Sequence, residues 1–113
     1  MELRASRSGP LGGSADIPGD KSCSHRALIL GGLAEGETRI TGLLQSDDVA
    51  ATLRAVEAFG ATIEHTGDGC RVTGAEWRSP AEPVYCANSG TTARLLIGAA
   101  AGFELEAVRH SRE

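Results

Sequence analysis

Two stretches of this 113-residue chain, Ser24–Ala34 and Thr92–Ala101, are apolar almost all the way round a helix. They constrain the fold more than any other feature. In the first, Ala27, Leu28, Ile29, Leu30, Leu33 and Ala34 leave almost no polar face, and a helix of that kind belongs inside, covered on every side. The two stretches also share a pattern, Ser24-His25-Arg26-Ala27-Leu28-Ile29 against Thr92-Ala93-Arg94-Leu95-Leu96-Ile97. Each follows a small polar loop containing Ser or Thr, and each runs to a glycine, Gly36 or Gly102, that leads into a strand. Such a recurrence implies a supersecondary unit used more than once. The first unit runs from helix to hairpin, a second opens at Asn88, and the second is incomplete at Glu113. The pattern therefore predicts a piece of a larger molecule.

Between the two helices the local signals are explicit. Glu37–Thr41 reads as a short strand. Ser46 is a good N-cap, Asp47 and Asp48 fall in the first turn that follows, and Val49, Leu53 and Val56 recur at helical spacing up to Gly60. Ala61–Thr66 and Cys70–Gly74 alternate around Gly67-Asp68-Gly69, which predicts a hairpin. Ala75–Pro83 is loop, Val84–Cys86 a short strand, Asn88–Thr91 a polar loop, and Phe103–Val108 alternates like a strand. At the start, Leu3 with Ala5 and Ala15 with Ile17 predict two short strands around a turn near Gly9–Gly13.

Composition excludes several function classes. The net charge is −4, and no Lys/Arg run could follow a nucleic-acid backbone. No run of about 18 apolar residues could span a membrane, and the start carries no apolar signal core. The three cysteines, Cys23, Cys70 and Cys86, have no metal-ligand spacing and read as small buried hydrophobes in a reducing compartment. His25, His65 and His110 share no spacing, so no metal site is expected. His25, beside Arg26, is read as packing or as support to a site. A cytoplasmic or organelle-stromal protein is the expectation.

What remains is small-anion chemistry at helix N-termini. In Pro18-Gly19-Asp20-Lys21-Ser22-Cys23-Ser24-His25-Arg26, Lys21 stands where a strand passes into a helix, beside unpaired N–H groups and the positive end of the dipole. Ser22 adds a hydroxyl, and Arg26, one turn on, a bidentate fork. These residues suit a phosphate or carboxylate; the plainer alternative is a capping serine with two solvated cations. The Walker pattern fails, because Asp20 separates Gly19 from Lys21, which disfavours a nucleoside triphosphatase. Asn88-Ser89-Gly90-Thr91-Thr92-Ala93-Arg94 offers a second junction of the same kind, with Gly90 permitting close approach of a ligand; alone it reads more readily as a polar loop capping a helix. Asp47 and Asp48 could work as an acid/base pair, though adjacent acids in a first turn more often serve the dipole.

Three blocks resemble the 5-enolpyruvylshikimate-3-phosphate synthase family. They are Pro18-Gly19-Asp20-Lys21-Ser22-x-Ser24-His25-Arg26-Ala27, then Gly42-Leu43-Leu44-x-Ser46-Asp47-Asp48-Val49, then Asn88-Ser89-Gly90-Thr91-Thr92-Ala93-Arg94. They stand in the family's order, and the resemblance runs from about Ile17 to Gly102. It implies an α/β fold of repeated βαβαββ units, an inside-out α/β barrel, incomplete in this chain. Residues 1–16 would be opening strands that pack on a second domain outside the chain, and residues 17–113 the first one-and-a-part folding units. It implies transfer of the enolpyruvyl group of phosphoenolpyruvate to the 5-hydroxyl of shikimate 3-phosphate, with release of phosphate, on the shikimate route to chorismate and the aromatic amino acids. Lys21, Ser22 and Arg26 match binders of shikimate 3-phosphate, and Lys21 and Gly90 match contacts to phosphoenolpyruvate. Asn88, Thr91, Arg94 and Asp48 match positions near that site. No cofactor or metal is implied, and the partners are the two anionic substrates, with neither nucleic acid nor membrane. The complete protein is expected to be a cytoplasmic monomer, with its catalytic groups in later segments, so that this chain alone is expected to be inactive. The alternatives are a non-catalytic anion-binding fragment and a sibling transferase acting on a nucleotide sugar. The Lys21-Ser22-x-Ser24-x-Arg26 pattern speaks against the sibling.

Overall fold

The computed structural model describes residues 2–87 and 89–103. Nothing regular forms before Lys21: residues 2–20 carry neither helix nor strand. The two opening strands expected near Leu3–Ala5 and Ala15–Ile17 are therefore absent. A strand needs a partner for its alternating N–H and C=O groups, and Leu3 and Ile17 are 88% and 84% exposed, with no core to pack on.

Helix α1 spans Lys21–Leu33, beginning three residues before the expected start. The reason is the cap. Asp20 sits in extended backbone and its Oδ2 accepts from Cys23 N at 2.8 Å, which satisfies one of the orphan donors of the first turn. Lys21 and Ser22 are thus inside the helix. The chain then turns at Gly36 into β1, Glu37–Thr41. Helix α2, Asp47–Phe59, starts where the sequence places it: Ser46 Oγ accepts from Val49 N at 3.2 Å and both aspartates lie in the first turn. Gly60, at φ +126°, ends it in a conformation that only glycine adopts readily. Strands β2, Thr62–His65, and β3, Gly69–Thr73, form the expected hairpin.

β3 lies between β1 and β2, antiparallel to both. Val72 pairs with Thr38 on one side and Ile63 on the other. One face of this sheet carries Ile40, Cys70 and Val72 into the core, against α1 and α2. The stripe of α2 that meets them is Val49, Thr52, Val56 and Phe59. At the far end Trp77 closes the core. Its ring stacks on Phe59 with centroids 4.6 Å apart, and its indole N–H donates to the Gly32 carbonyl at 3.0 Å.

Val84–Cys86 does not become a strand; there is only an isolated bridge at Tyr85. Pro80 and Pro83 remove backbone donors just before it. Helix α3, Gly90–Ala100, is capped by Ser89, whose Oγ accepts from Thr92 N at 3.0 Å. It begins two residues before the expected start, so that Gly90 and Thr91 belong to its first turn and not to a loop. Of the strand expected over Phe103–Val108, Phe103 is in a bend and the rest lies outside the described residues, as does the charged end.

The expectation that both apolar helices are covered on every side holds for half of each. Leu28, Ile29 and Leu96 are buried, but Leu30 is 64% and Ile97 58% exposed, with Leu95 also exposed. Among the described residues no element lies over that face. Cys70 and Cys86 are buried, as expected, and burial pushes both thiols up. Cys23 is exposed, contrary to expectation, because it lies in the first turn of α1 on the solvent side.

Candidate functional site

The N-terminal turns of all three helices meet at Asp48. Its carboxylate pairs with the Lys21 ammonium from the first turn of α1. Its backbone carbonyl lies 3.2 Å from Thr92 Oγ1, in the first turn of α3. The fold thus brings together Lys21, Asp48 and the Gly90–Arg94 segment, which are 27 or more residues apart in sequence, as Lys21 and Asp48 themselves are. Ser22 and Arg26 stand on α1 with Lys21 and are exposed. Arg26 Nη2 donates to Cys23 Sγ at 3.4 Å. Arg94 folds its guanidinium back toward Gly90, so that a Cβ placed on Gly90 would come within 2.9 Å of Arg94 Nη1. Thr91 is half-buried beside it. Asn88 lies outside the described residues.

One feature of the site differs from expectation. The first-turn N–H groups of α1 are not all open to a ligand, since Asp20 takes that of Cys23. This hydrogen bond also holds the Asp20 carboxyl below its ordinary range, with the nearby Arg26 charge acting in the same direction. An anion arriving here meets the side chains of Lys21, Ser22 and Arg26 more than the bare helix terminus. Asp48 likewise does more than serve the dipole, because it neutralises Lys21 in the absence of a ligand. It does not pair with Asp47, which is exposed.

Beneath these groups runs a buried chain of hydrogen bonds that sequence reasoning missed. His25 Nδ1 is 2.7 Å from Thr52 Oγ1, which is 2.8 Å from Thr92 Oγ1, and Thr92 Oγ1 donates to Ser89 Oγ at 2.7 Å. His25, Thr52 and Thr92 are fully buried. Burial, and secondarily the Lys21 charge, lower the His25 pKa, while Asp48 acts the other way; the ring is neutral at pH 7. A signal for this network existed. Thr52 falls on the i, i+3, i+4 stripe of α2 between Val49 and Val56, where an apolar residue is the rule.

Among the described residues no group of three or more His, Cys, Asp or Glu is placed to hold a metal ion. Nor is any helix there long and apolar enough to cross a membrane.

Residues 6–108 match the family model described as EPSP synthase (3-phosphoshikimate 1-carboxyvinyltransferase). The chain belongs to the EPSP synthase family. A 3-phosphoshikimate 1-carboxyvinyltransferase of Phenylobacterium zucineum is 53% identical over 107 residues, covering 93% of this chain and 24% of that protein. One of Paracoccus denitrificans is 54% identical over 105 residues, with 89% and 24% covered. The solved EPSP synthase of Acinetobacter baumannii superposes with a TM-score of 0.80 at 36% identity, over 88% of this chain and 24% of its own. The chain therefore spans about a quarter of the length of the EPSP synthases it matches, and its α/β architecture is part of theirs.

Proposed function

We propose that this chain supplies the opening part of the first domain of a 3-phosphoshikimate 1-carboxyvinyltransferase, and half of its substrate site. In this reading Lys21, Ser22 and Arg26 bind shikimate 3-phosphate, while Lys21 and Gly90 contact phosphoenolpyruvate, with Thr91, Arg94 and Asn88 around them. The complete protein transfers the enolpyruvyl group to the 5-hydroxyl of shikimate 3-phosphate and releases phosphate. The observation that carries the reading is the meeting of three helix N-termini at the Lys21–Asp48 pair. Cations and positive dipole ends gathered at one junction support a site for two anionic substrates. An incoming phosphate or carboxylate shares or takes Lys21 from Asp48, so binding weakens as salt screens that exchange.

In this reading the chain alone does not turn over, because the catalytic groups of the transfer belong to later segments of the complete protein. On the same reading residues 1–16, of which 2–16 are exposed and without helix or strand here, take up strand structure against the second domain. Cys23, the one exposed thiol of the three, reports on the site. Shikimate 3-phosphate should slow alkylation of Cys23 several-fold, leave Cys70 and Cys86 unreactive, and lose its effect in Lys21→Ala. Phosphate release above background from the chain with both substrates, or no protection of Cys23 at millimolar ligand, would overturn the reading.

A further inference from the structure

The buried hydrogen-bond chain has a direction, and the direction can be worked out donor by donor. Each hydroxyl has one hydrogen to give. Thr92 Oγ1 donates to Ser89 Oγ at 2.7 Å, with the Asp48 carbonyl, which can only accept, at 3.2 Å as a second acceptor. The Thr92 hydrogen is therefore committed, and the 2.8 Å bond between the two threonines must be donated by Thr52. That commits the Thr52 hydrogen in turn. The 2.7 Å bond to His25 must then be donated by the imidazole, from Nδ1–H. A neutral ring protonated on Nδ1 leaves Nε2 as a bare lone pair. Nε2 is buried and has no hydrogen-bond partner among the described residues. In either tautomer Nε2 stays unpaired, as a buried lone pair or a buried N–H, so the choice of tautomer rests on the bond at Nδ1.

The two ends of this chain are the two ligand junctions. His25 lies one helical turn after Lys21 in α1, and Ser89 and Thr92 are the N-cap and third residue of α3, on either side of Gly90 and Thr91. Thr52, in the middle, belongs to neither junction. We propose that Thr52 is a positioning residue, which through Thr92 and Ser89 fixes where Gly90 stands relative to Lys21, and which works only with the His25 proton on Nδ1. Packing alone does not explain the arrangement. Valine has the shape of threonine and would fill the same space between α1, α2 and α3 without a hydroxyl to satisfy. The consequence for specificity rests on the reading of Gly90 as part of the phosphoenolpyruvate pocket. Loss of the relay loosens the α3 junction while leaving Lys21, Ser22 and Arg26 on α1.

Two measurements test this, and they fail separately. The first is the nitrogen spectrum of the His25 ring in the 113-residue chain, assigned by its loss in His25→Asn. The Nδ1–H tautomer is expected, retained in Thr52→Ser and lost to a mixture in Thr52→Val. The second is kinetic, in a complete relative carrying residues 6–103 of this chain in place of its own segment. Thr52→Val should raise KM for phosphoenolpyruvate about tenfold with KM for shikimate 3-phosphate within about twofold, and Thr52→Ser should restore the parent value. A wild-type ring protonated on Nε2 overturns the relay, whatever the kinetics. Equal rises in both KM values, or identical behaviour of the Val and Ser variants, reduce Thr52 to a structural residue and overturn the positioning role. The expected tautomer with no change in either KM leaves the relay standing and overturns its link to Gly90, and with it the assignment of that glycine.

Discussion

Gly19→Ala tests why a glycine precedes the cap of α1. A Cβ built on Gly19 would lie 2.1 Å from the Gly42 carbonyl oxygen and 3.0 Å from Leu44 N. Ordinary contact begins at 3.4 Å, so the two backbone segments must separate by 3.4 − 2.1, or about 1.3 Å. Neither neighbour is a flexible side-chain tip that could swing aside. The same loop is tied to the helix by Leu44 N donating to Ser24 Oγ at 3.1 Å, while Ser24 Oγ donates to the Asp20 carbonyl at 2.7 Å. A displacement of that size breaks the bond from Leu44. Forced separation costs about 1–3 kcal/mol and the lost hydrogen bond about 1. The lower chain entropy of the unfolded alanine variant returns about 0.4–1. The net destabilisation is about 1–3.6 kcal/mol.

Urea unfolding followed by the fluorescence of Trp77, the single tryptophan, reads this directly. The ring is buried against Phe59, so its emission shifts when the core opens. With a slope of about 1.5 kcal/mol per molar urea, the midpoint should fall by roughly 0.7–2.4 M. Gly67→Ala is the control, because a Cβ there meets nothing within 4 Å and the midpoint should barely move. Equal midpoints for Gly19→Ala and the parent, within about 0.3 M, would refute the reasoning and show that the loop at Gly42 yields freely. Because Lys21 is two residues on, the variant should also weaken Lys21-dependent protection of Cys23.

His25 gives a pH prediction whose sign follows from its lowered pKa. The unfolded ring takes up a proton near its ordinary 6.5, whereas the buried ring, facing Lys21 and Asp48, does so only at lower pH. Stability is thus fully present above about pH 6.5 and falls as pH drops from there toward the folded pKa, by at most about 1.4 kcal/mol per pH unit. A urea midpoint that is flat between pH 7.5 and 5.5 would refute it. Gly90→Ala should leave stability within about 1 kcal/mol, because the atoms nearest the new methyl belong to the movable Arg94 guanidinium and the glycine needs no left-handed backbone. In a complete enzyme the same change should crowd the phosphoenolpyruvate pocket and weaken inhibitors that share it; an unchanged inhibitor Kd would refute that.

How far the fold is legible depends on how local its causes are. Helix α2 and the hairpin are specified within a few residues by Ser46, Gly60 and Gly67-Asp68-Gly69, and they form where the sequence puts them. Both apolar helices are also legible, but their starts are not. The hydrophobic pattern begins at Ser24 and at Thr92, whereas the caps Asp20 and Ser89 open the helices three and two residues earlier. The first strands fail because alternation is only half of a strand; Leu3 and Ile17 have no partner within reach. In the site, Lys21, Ser22, Arg26, Gly90 and Arg94 were legible as chemistry in the two junctions. The bonds that join those junctions were not. His25 to Thr52 spans 27 residues and Thr52 to Thr92 spans 40, and no local pattern encodes a pairing at such distance.

Charge shows why the site depends on the fold and not on composition. The chain as a whole carries −4, which offers an anion no general attraction. At the junction, however, Lys21, Arg26 and Arg94 stand against Asp20, Asp47 and Asp48, so the formal charges cancel. The three helix N-termini that meet there add about half a positive charge each, roughly +1.5 in all. That residue of positive potential is fixed in the backbone and costs nothing to organise when a ligand arrives. The Lys21–Asp48 pair sets its accessibility. In the proposed reading an anion shares Lys21 with a carboxylate already in place or takes it from that carboxylate, so a dianionic phosphate competes better than a lone chloride. On the proposed function, selectivity for multiply charged ligands follows from the pairing of one lysine with one aspartate, before any shape of the substrate is considered.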